Sequence, residues 1–395
     1  PFIGLAALLG VWFFNIDNIY ADMRYLQAKS LTESGGYGEH ILGYAALQDA
    51  IDNSPNEDLY YLTYGRSLMQ LAQDFSARQP QAMREAQQAA QQAEAENNIA
   101  QANQYIAVLQ QINAASAKRP AENAKLTDLP QAEYSLQRWQ ETYDRFLKEY
   151  SPLQILDYAR LALEEARDLN PRNKDHYANL GRLHASWFRN MQQVDAAEAK
   201  KHLDLAIFNY EEAHRVAPQD VELTGQMAML YPYREGDLPK GLAAMQEATT
   251  LDPVYPINHA RYGELKRQGG DLVGAAQEFA LALAGNPRIF DQTLDVAEVG
   301  GEREQRYRDI LAAMRNTPQA LEIFLGGYRQ ALEKTPENLG HYQVFTQVLS
   351  DTQQYSQGAE QAEKALAKAQ SQNNQQLVQT FQDYLTYFKS RLAGG

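Results

Sequence analysis

Three prolines spaced almost evenly along the middle of the chain mark the ends of similar units. Pro218, Pro253 and Pro287 are separated by 35 and 34 residues. Five, eight and twelve residues ahead of each proline stand a small, a large and a small side chain, in the sets Ala213/Tyr210/Ala206, Ala248/Met245/Gly241 and Ala282/Phe279/Ala275. Offsets of three and four residues place these side chains on one helical face, and proline ends the helix. The pattern predicts pairs of antiparallel helices that pack closely through their small residues.

The first helix of each unit has matching positions of its own. They are Tyr177, Leu180 and Gly181 in one unit and His259, Tyr262 and Gly263 in another. A period near 34 residues with these residue types resembles the tetratricopeptide repeat (TPR). The resemblance implies an all-α fold: a right-handed superhelical TPR solenoid of about six helix-turn-helix repeats, with an inserted helical hairpin and an apolar N-terminal helix.

An insertion interrupts one of the earlier units. Its first helix carries Tyr61, Tyr64 and Gly65, whereas the matching second helix, with Ala159, Leu163 and Ala166, ends only at Pro171. Pro55 and Pro171 are 116 residues apart, so about 82 residues are added to a unit of about 34. The added segment is rich in Ala, Gln and Glu and has a thin apolar stripe, which predicts a helical hairpin that projects from the repeats.

These patterns divide the chain into five parts. They are an apolar N-terminal helix that runs into the first repeat (1–34), N-terminal TPR units (35–77), the inserted hairpin (78–150), the core repeats (151–287), and degenerate C-terminal repeats with a capping helix (288–395).

The N-terminus begins with an uninterrupted apolar run, PFIGLAALLGVWFF. A helix of roughly 20 residues is needed to cross a bilayer, so this run is too short to span one alone. It represents either the end of a longer hydrophobic helix or a terminus exposed by processing. Exposed, its large side chains would drive aggregation, so we expect lipid or another protein to cover them. The residues predicted to mediate self-assembly are Phe2, Leu5, Leu8, Leu9, Trp12 and Phe13.

The following segment, 15–34, becomes amphipathic. One side carries Ile16, Ile19, Tyr20, Met23 and Leu26. We expect one continuous helix to leave the apolar run and to form the first helix of a degenerate repeat.

Composition excludes several classes of function. A net charge of −14 opposes binding to nucleic acid or plain electrostatic docking on anionic lipid. The chain has no cysteine, so disulfides and thiolate chemistry are ruled out. Nucleotide-binding and nucleophile motifs are missing from the sequence. We expect no cofactor and no enzymatic activity.

Histidine and tyrosine side chains invite more specific hypotheses. His176, His184, His202 and His214 lack the i, i+4 spacing of a helical zinc site, which favours solvated or packing histidines over metal ligands. The adjacent carboxylates of Glu164/Glu165 and Glu211/Glu212 point to different helix faces, which disfavours paired acid–base catalysis. Tyr61, Tyr64 and Tyr177 could stack on sugars, but their positions favour core packing.

A concave groove is the more credible binding site. First-helix side chains that do not pack between repeats should line it, including Arg66, Arg182, Glu264 and Arg267. Such grooves bind extended peptides or a helix of another chain.

The segments WFFNIDNIYADMRYLQAKSL and NEDLYYLTYGRSLMQLA together carry a wider resemblance. The arrangement is similar to the extracytoplasmic C-terminal region of bacterial O-antigen ligase/polymerase-like membrane proteins, in which TPRs follow the last membrane helix. This resemblance implies a location outside the cytoplasm, at the cell surface. It implies no glycosyl-transfer activity, because the multi-span catalytic part of such proteins has no counterpart here.

Two functions therefore stay open. The first is a scaffold that self-associates through its apolar N-terminal helix, head to tail into an extracellular filament or into another homo-oligomer. The second is a membrane-tethered extracytoplasmic domain that recruits protein partners for assembly of the cell envelope or surface polysaccharide.

Overall fold

The computed structural model describes residues 2–34, 37–130, 139–290 and 303–394. Within these ranges the fold is all-α, with no β-strand. The chain forms two compact units, one ending at Val216 and the other starting at Ala217. The predicted five-part division of the chain is a finer one and stays a prediction.

The first unit contains eight α-helices among its described residues. They are α1 (Phe2–Ser34), α2 (Tyr37–Asn53), α3 (Asp58–Ala95), α4 (Ile99–Ser116), α5 (Trp139–Glu149), α6 (Pro152–Leu169), α7 (Lys174–Met191) and α8 (Ala196–Val216).

The second unit contains nine α-helices in its described part. They are α9 (Val221–Leu230), α10 (Leu238–Leu251), α11 (Pro256–Gln268), α12 (Leu272–Gly285), α13 (Arg303–Arg315), α14 (Pro318–Lys334), α15 (Leu339–Asp351), α16 (Tyr355–Ser371) and α17 (Gln375–Ala393).

Local sequence explains where successive units begin. Two residues after Pro171, Pro218 and Pro336 stand Asn173, Asp220 and Asn338, and each of these side chains caps the next helix. The Asp220 carboxylate, for example, accepts a hydrogen bond from the Leu223 amide at 3.0 Å. Proline stops one helix and the short polar side chain starts the next, which makes the tight turn between units.

The paired helices meet at a glycine opposite a large side chain. A methyl group placed on Gly181 of α7 would lie 2.8 Å from the Tyr210 ring of α8, and one on Gly263 of α11 would lie 2.6 Å from the Phe279 ring of α12. Only glycine permits such an approach. These are the positions predicted from the repeat, and the TPR-type fold is confirmed.

A glycine contact of the same kind joins the two helices on either side of the insertion. Gly65 of α3 lies against Leu163 of α6, so that these two helices form one repeat as predicted. The insertion starts within the 38-residue helix α3, beyond its contact with α6. Its outer part packs through alanines on α3 and α4, including Ala86, Ala90, Ala93 and Ala102.

Helix α5 differs from the expectation of a projecting hairpin. Phe146 of α5 is fully buried and lies 5.3 Å, between ring centroids, from Tyr44 of α2. The Tyr44 hydroxyl also donates a hydrogen bond to the carbonyl of Pro130, at 2.6 Å. The end of the insertion therefore belongs to the core of the first unit, because aromatic residues of α5 supply apolar surface that its alanine-rich part lacks.

Aromatic side chains dominate the core of the second unit. Phe279, Phe324 and Tyr328 are buried together with Phe345. The last helix, α17, buries Phe381 and Phe388. Gly358 of α16 lies against the Phe388 ring, which repeats the glycine–aromatic contact of the central repeats.

Candidate functional site

Helix α1 extends from Phe2 to Ser34. The side chains of residues 2–15 lie outside the part that the structure describes. The prediction that self-assembly involves Phe2, Leu5, Leu8, Leu9, Trp12 and Phe13 therefore stays a prediction. No helix among the described residues is long and apolar enough to cross a membrane.

The face of α1 that packs on its own unit is made of small and polar residues. Ala21 and Ala28 are fully buried. Arg24 forms an ion pair with Asp49 of α2. Tyr25 stacks on Tyr60 of α3 with ring centroids 5.3 Å apart. Small side chains bring α1 close to α2, and the ion pair fixes its rotation.

The opposite face of α1 exposes a row of large apolar side chains. The exposed fractions are 42% for Ile16, 58% for Ile19, 44% for Tyr20, 62% for Met23 and 63% for Leu26. The sequence predicted that α1 forms the first helix of a repeat, without deciding which of its sides packs; these five side chains are not on the packed side. The alanine face takes the contact with α2 because it permits the closer approach. We call Ile16, Ile19, Tyr20, Met23 and Leu26 the α1 stripe.

The four residues predicted to line a concave groove lie in different settings. Arg66 is exposed and lines a cavity of ≈ 410 Å³ between α1 and α3. Arg182 is half-buried. Glu264 is buried and accepts two hydrogen bonds from Arg267, at 2.7 and 2.8 Å. The Glu264 carboxylate is therefore committed within its own helix. A role for any of the four in partner binding remains a prediction.

A different groove, of ≈ 630 Å³, lies between α6 and α8, with α7 as its floor. We call it the α6–α8 groove. Each helix contributes one stripe at intervals of three and four residues: Leu153, Asp157, Arg160, Glu164 and Arg167 from α6, Leu180, His184, Trp187 and Met191 from α7, and Glu198, Lys201, Leu205, Phe208 and Asn209 from α8. None of the four predicted groove residues lines it.

Two histidines and a tryptophan meet at the base of the α6–α8 groove: His184 and Trp187 on the α7 floor, and His202 where α8 meets that floor. The Nδ1 atoms of His184 and His202 are 2.9 Å apart, and the Trp187 ring stacks on His202 at 4.4 Å. His202 Nε2 lies 3.1 Å from a Glu198 carboxylate oxygen. A carboxylate only accepts hydrogen bonds, so His202 carries its proton on Nε2 and accepts at Nδ1 from His184.

Burial keeps both imidazoles neutral. Desolvation, with the charges of His202 and Arg160 adding to it, lowers the pKa of His184 to about 3. Desolvation likewise lowers the pKa of His202 to about 4, although Glu198 opposes the shift. The floor is thus an uncharged aromatic surface near neutral pH.

The walls of the groove carry charge and one exposed aromatic ring. Arg160 is held between Asp157, at 2.9 Å, and Glu164, at 2.6 Å. Phe208 is 54% exposed on the opposite wall. Beside it, Asn209 is buried, and its Oδ1 has no hydrogen-bond partner.

Of the other histidines and tyrosines singled out from the sequence, three are buried in the first unit. His176 is fully buried, and its Nε2 lies 2.6 Å from the Asp58 carboxylate. Tyr61 and Tyr64 are buried, as their repeat positions predicted, whereas Tyr177 is half-buried. Among the described residues, no group of three or more metal-ligating side chains converges.

Sequence reasoning missed the α6–α8 groove. The signal was the second apolar stripe on α7, from Leu180 to Met191, beside the face that carries Gly181. A repeat helix with two such faces has more apolar surface than its partner helix covers.

No protein-family model and no curated protein sequence matches the chain. Among solved structures, it is similar to the MamA protein, with 15% identity and a TM-score of 0.26, over 49% of this chain and 95% of that one. It is also similar to a human IFIT1 dimer bound to PPP-AAAA, with 15% identity and a TM-score of 0.35, over 85% and 70% of the two chains. The APC/C hetero-tetramer Cut9-Hcn1 shows 12% identity and a TM-score of 0.33, over 88% and 52%. At these values the likenesses carry no functional argument, and the fold assignment rests on the helix pairs described above.

Proposed function

We propose that this chain is a non-enzymatic protein-interaction scaffold that self-associates through α1. The observation that supports this most directly is the α1 stripe, an apolar face left exposed on the helix that also contains residues 2–14 of the apolar run. The described helices otherwise bury their large apolar side chains in repeat contacts, and their exposed ones are scattered singly.

Charge favours a second protein chain over an anionic membrane surface as the occupant. Residues 1–23 contain no Lys or Arg, and they include Asp17 and Asp22. Docking on anionic lipid uses basic residues at about 1 kcal/mol each, and this helix face offers none. An apolar face without basic residues is better covered by another apolar protein face than by anionic lipid.

Size favours a contact that extends along the whole of α1. The α1 stripe runs for only about 15 Å at 1.5 Å per residue. A stable interface needs roughly 800 Å² on each partner, more than five side chains provide. The apolar residues at positions 1–14 supply the missing area, and burying each large side chain contributes about 1.5–3 kcal/mol. Both halves of α1 therefore take part in the contact with a second copy.

The symmetry of the contact between α1 helices decides whether a dimer or a filament forms. An isologous pairing of two α1 helices closes as a dimer, whereas a head-to-tail contact that does not close produces a filament. The proposal includes both forms, and particle mass distinguishes them.

The test compares two variants with equal charge. Met23→Glu places a carboxylate in the α1 stripe, and Asn18→Glu places one on an exposed position about 140° away around the helix, at about 100° per residue. Light scattering coupled to size exclusion, without detergent, should show a multimer for the unmodified chain and for Asn18→Glu, and a smaller particle for Met23→Glu. A monomeric unmodified chain at micromolar concentration would refute self-association.

A membrane-tethered extracytoplasmic domain that recruits partners for envelope or polysaccharide assembly is the second candidate. The apolar composition of residues 1–14 supports it. Flotation with neutral phosphatidylcholine vesicles tests it, because insertion of apolar side chains requires no lipid charge. If the chain floats and loses flotation when residues 1–14 are deleted, the membrane is the occupant; if it stays at the bottom, the tether is wrong.

A further inference from the structure

We propose that the α6–α8 groove binds an extended, basic peptide segment of a protein partner. The groove belongs entirely to the first unit and is separate from the α1 stripe. The inference is therefore independent of self-association.

The unpartnered acceptor on Asn209 points to a ligand that donates hydrogen bonds. Asn209 is only 4% exposed. Its Nδ2 donates to the carbonyl of Leu205 at 2.8 Å, which fixes the orientation of the amide. Oδ1 is then left without a donor. A buried acceptor without a partner costs about 1–3 kcal/mol. Because Oδ1 is itself covered, a main-chain N–H of a bound peptide would remove that cost as neighbouring side chains move aside.

Exposed apolar side chains beside Asn209 provide the anchor for a side chain of the peptide. Phe208 is 54% exposed, and Leu205 lies one turn before it on the same wall. An exposed aromatic ring beside an unpartnered amide resembles the arrangement that extended peptides use, in which main-chain hydrogen bonds and apolar pockets alternate. The α7 floor from Leu180 to Met191 is about 16 Å long, enough for five extended residues.

Charge selects the kind of peptide. The groove is lined by five carboxylates and four cations; the carboxylates are those of Glu122, Asp157, Glu164, Asp195 and Glu198, and the cations are Arg119, Arg160, Arg167 and Lys201. Within the trio on α6, Arg160 neutralises only one of the two carboxylates of Asp157 and Glu164, so the middle of this wall keeps one negative charge. Both floor histidines are neutral and do not offset it. The cations Arg119 and Arg167 lie toward opposite ends, so a lysine or arginine of the peptide would face the middle of the wall.

The experiment measures binding of three fluorescein-labelled octapeptides by fluorescence anisotropy. The first alternates lysine with leucine and phenylalanine, the second has glutamate in place of lysine, and the third contains only glycine and serine. All measurements use full-length Met23→Glu, so that the oligomeric state does not alter the anisotropy signal. A failure of self-association through α1 and a failure of peptide binding in the α6–α8 groove can then be told apart.

The basic peptide should bind most tightly, and its affinity should fall with added salt. Phe208→Ser and Asn209→Leu should each weaken it about tenfold, the effect of about 1.4 kcal/mol. Asn209→Asp keeps an acceptor and should retain binding. Leu251→Ser, which alters an exposed apolar residue of the second unit, should leave it unchanged.

Methylating single amides of the basic peptide identifies the hydrogen bond itself. Methylation of one particular amide should weaken binding to the protein that retains Asn209, and it should not weaken binding to Asn209→Leu any further. Equal binding of the acidic peptide, no binding of any peptide, or insensitivity to both Phe208→Ser and Asn209→Leu would overturn the proposal.

Discussion

Gly65 of α3 lies against Leu163 of α6 so closely that a methyl group on the glycine would sit 2.6 Å from the leucine Cγ. The two residues come from the two sides of the insertion, and their contact joins its flanks into one repeat. The backbone carbonyl of Ala159 borders the same position, at 3.1 Å. The helix pair therefore cannot separate locally without exposing the buried Leu163 side chain.

We expect Gly65→Ala to destabilise the first unit. The added methyl group forces α3 and α6 apart, and overpacking of this kind costs about 1–3 kcal/mol. Gly326→Ala is the matched control, because a methyl group at this helical glycine meets no atom within 4 Å. That substitution should be neutral or stabilise by about 0.5–1 kcal/mol through helix propensity. Urea unfolding of both variants provides the comparison, and equal effects would contradict the close contact.

Phe146→Ala tests whether the end of the insertion is part of the core. Phe146 is fully buried against Tyr44 and Phe75, so its truncation should cost about 3–5 kcal/mol. Ile99, which is 60% exposed at the start of α4, is the control. Ile99→Ala should change the free energy of unfolding by less than about 0.5 kcal/mol. Similar small losses in both variants would mean that α5 is dispensable.

The repeat contacts were predictable from sequence because they depend on local spacing. Gly65, Tyr64 and Leu163 occupy offsets that one helical period fixes, whatever lies between them along the chain. The rotation of α1 was not predictable in this way. Its amphipathic pattern identified the apolar side, but the ion pair of Arg24 with Asp49 and the small size of Ala21 and Ala28 decide which side packs. Asn209 illustrates the same limit, since its lost hydrogen-bond partner follows only from tertiary burial.

The paired histidines of the groove floor should make the first unit sensitive to acid. Their pKa values are lowered on folding, to about 3 for His184 and about 4 for His202, chiefly by burial. Their contribution is thus fully present above the ordinary histidine pKa of about 6.5 and is lost as the pH falls below it. Each proton bound only by the unfolded state gives a slope of about 1.4 kcal/mol per pH unit.

Tryptophan fluorescence isolates this effect, because the three tryptophans, at positions 12, 139 and 187, all belong to the first unit. Between pH 6.5 and 4.5, the free energy of unfolding should fall steeply in the unmodified chain. It should fall less steeply in His184→Gln/His202→Gln. Carboxylates other than Glu198, which His202 contacts, titrate alike in both proteins, so parallel curves would show that the two histidines do not carry the acid sensitivity.

His259 in the second unit should respond to pH in the opposite direction. Burial lowers its pKa, but hydrogen bonds with Glu278, at 2.7 Å, and with the Pro253 carbonyl, at 2.9 Å, outweigh burial and leave the pKa raised. A raised pKa means that protonation stabilises the folded state. This contribution is complete below the unfolded pKa of about 6.5 and disappears as the pH rises through the folded value.

Removing Glu278 should reverse the shift of His259. In Glu278→Gln, burial acts without the carboxylate, so the pKa of His259 should fall, and the alkaline loss of stability should disappear with it. An NMR titration of the histidine ring carbons measures the pKa directly. Glu235→Gln, which alters an exposed carboxylate of the same unit, is the control and should leave the His259 titration in place. An unchanged pKa of His259 in Glu278→Gln would show that the Pro253 carbonyl alone holds the proton. The opposite pKa shifts of His259 and of the His184/His202 pair would then come from different degrees of burial and not from the Glu278 carboxylate.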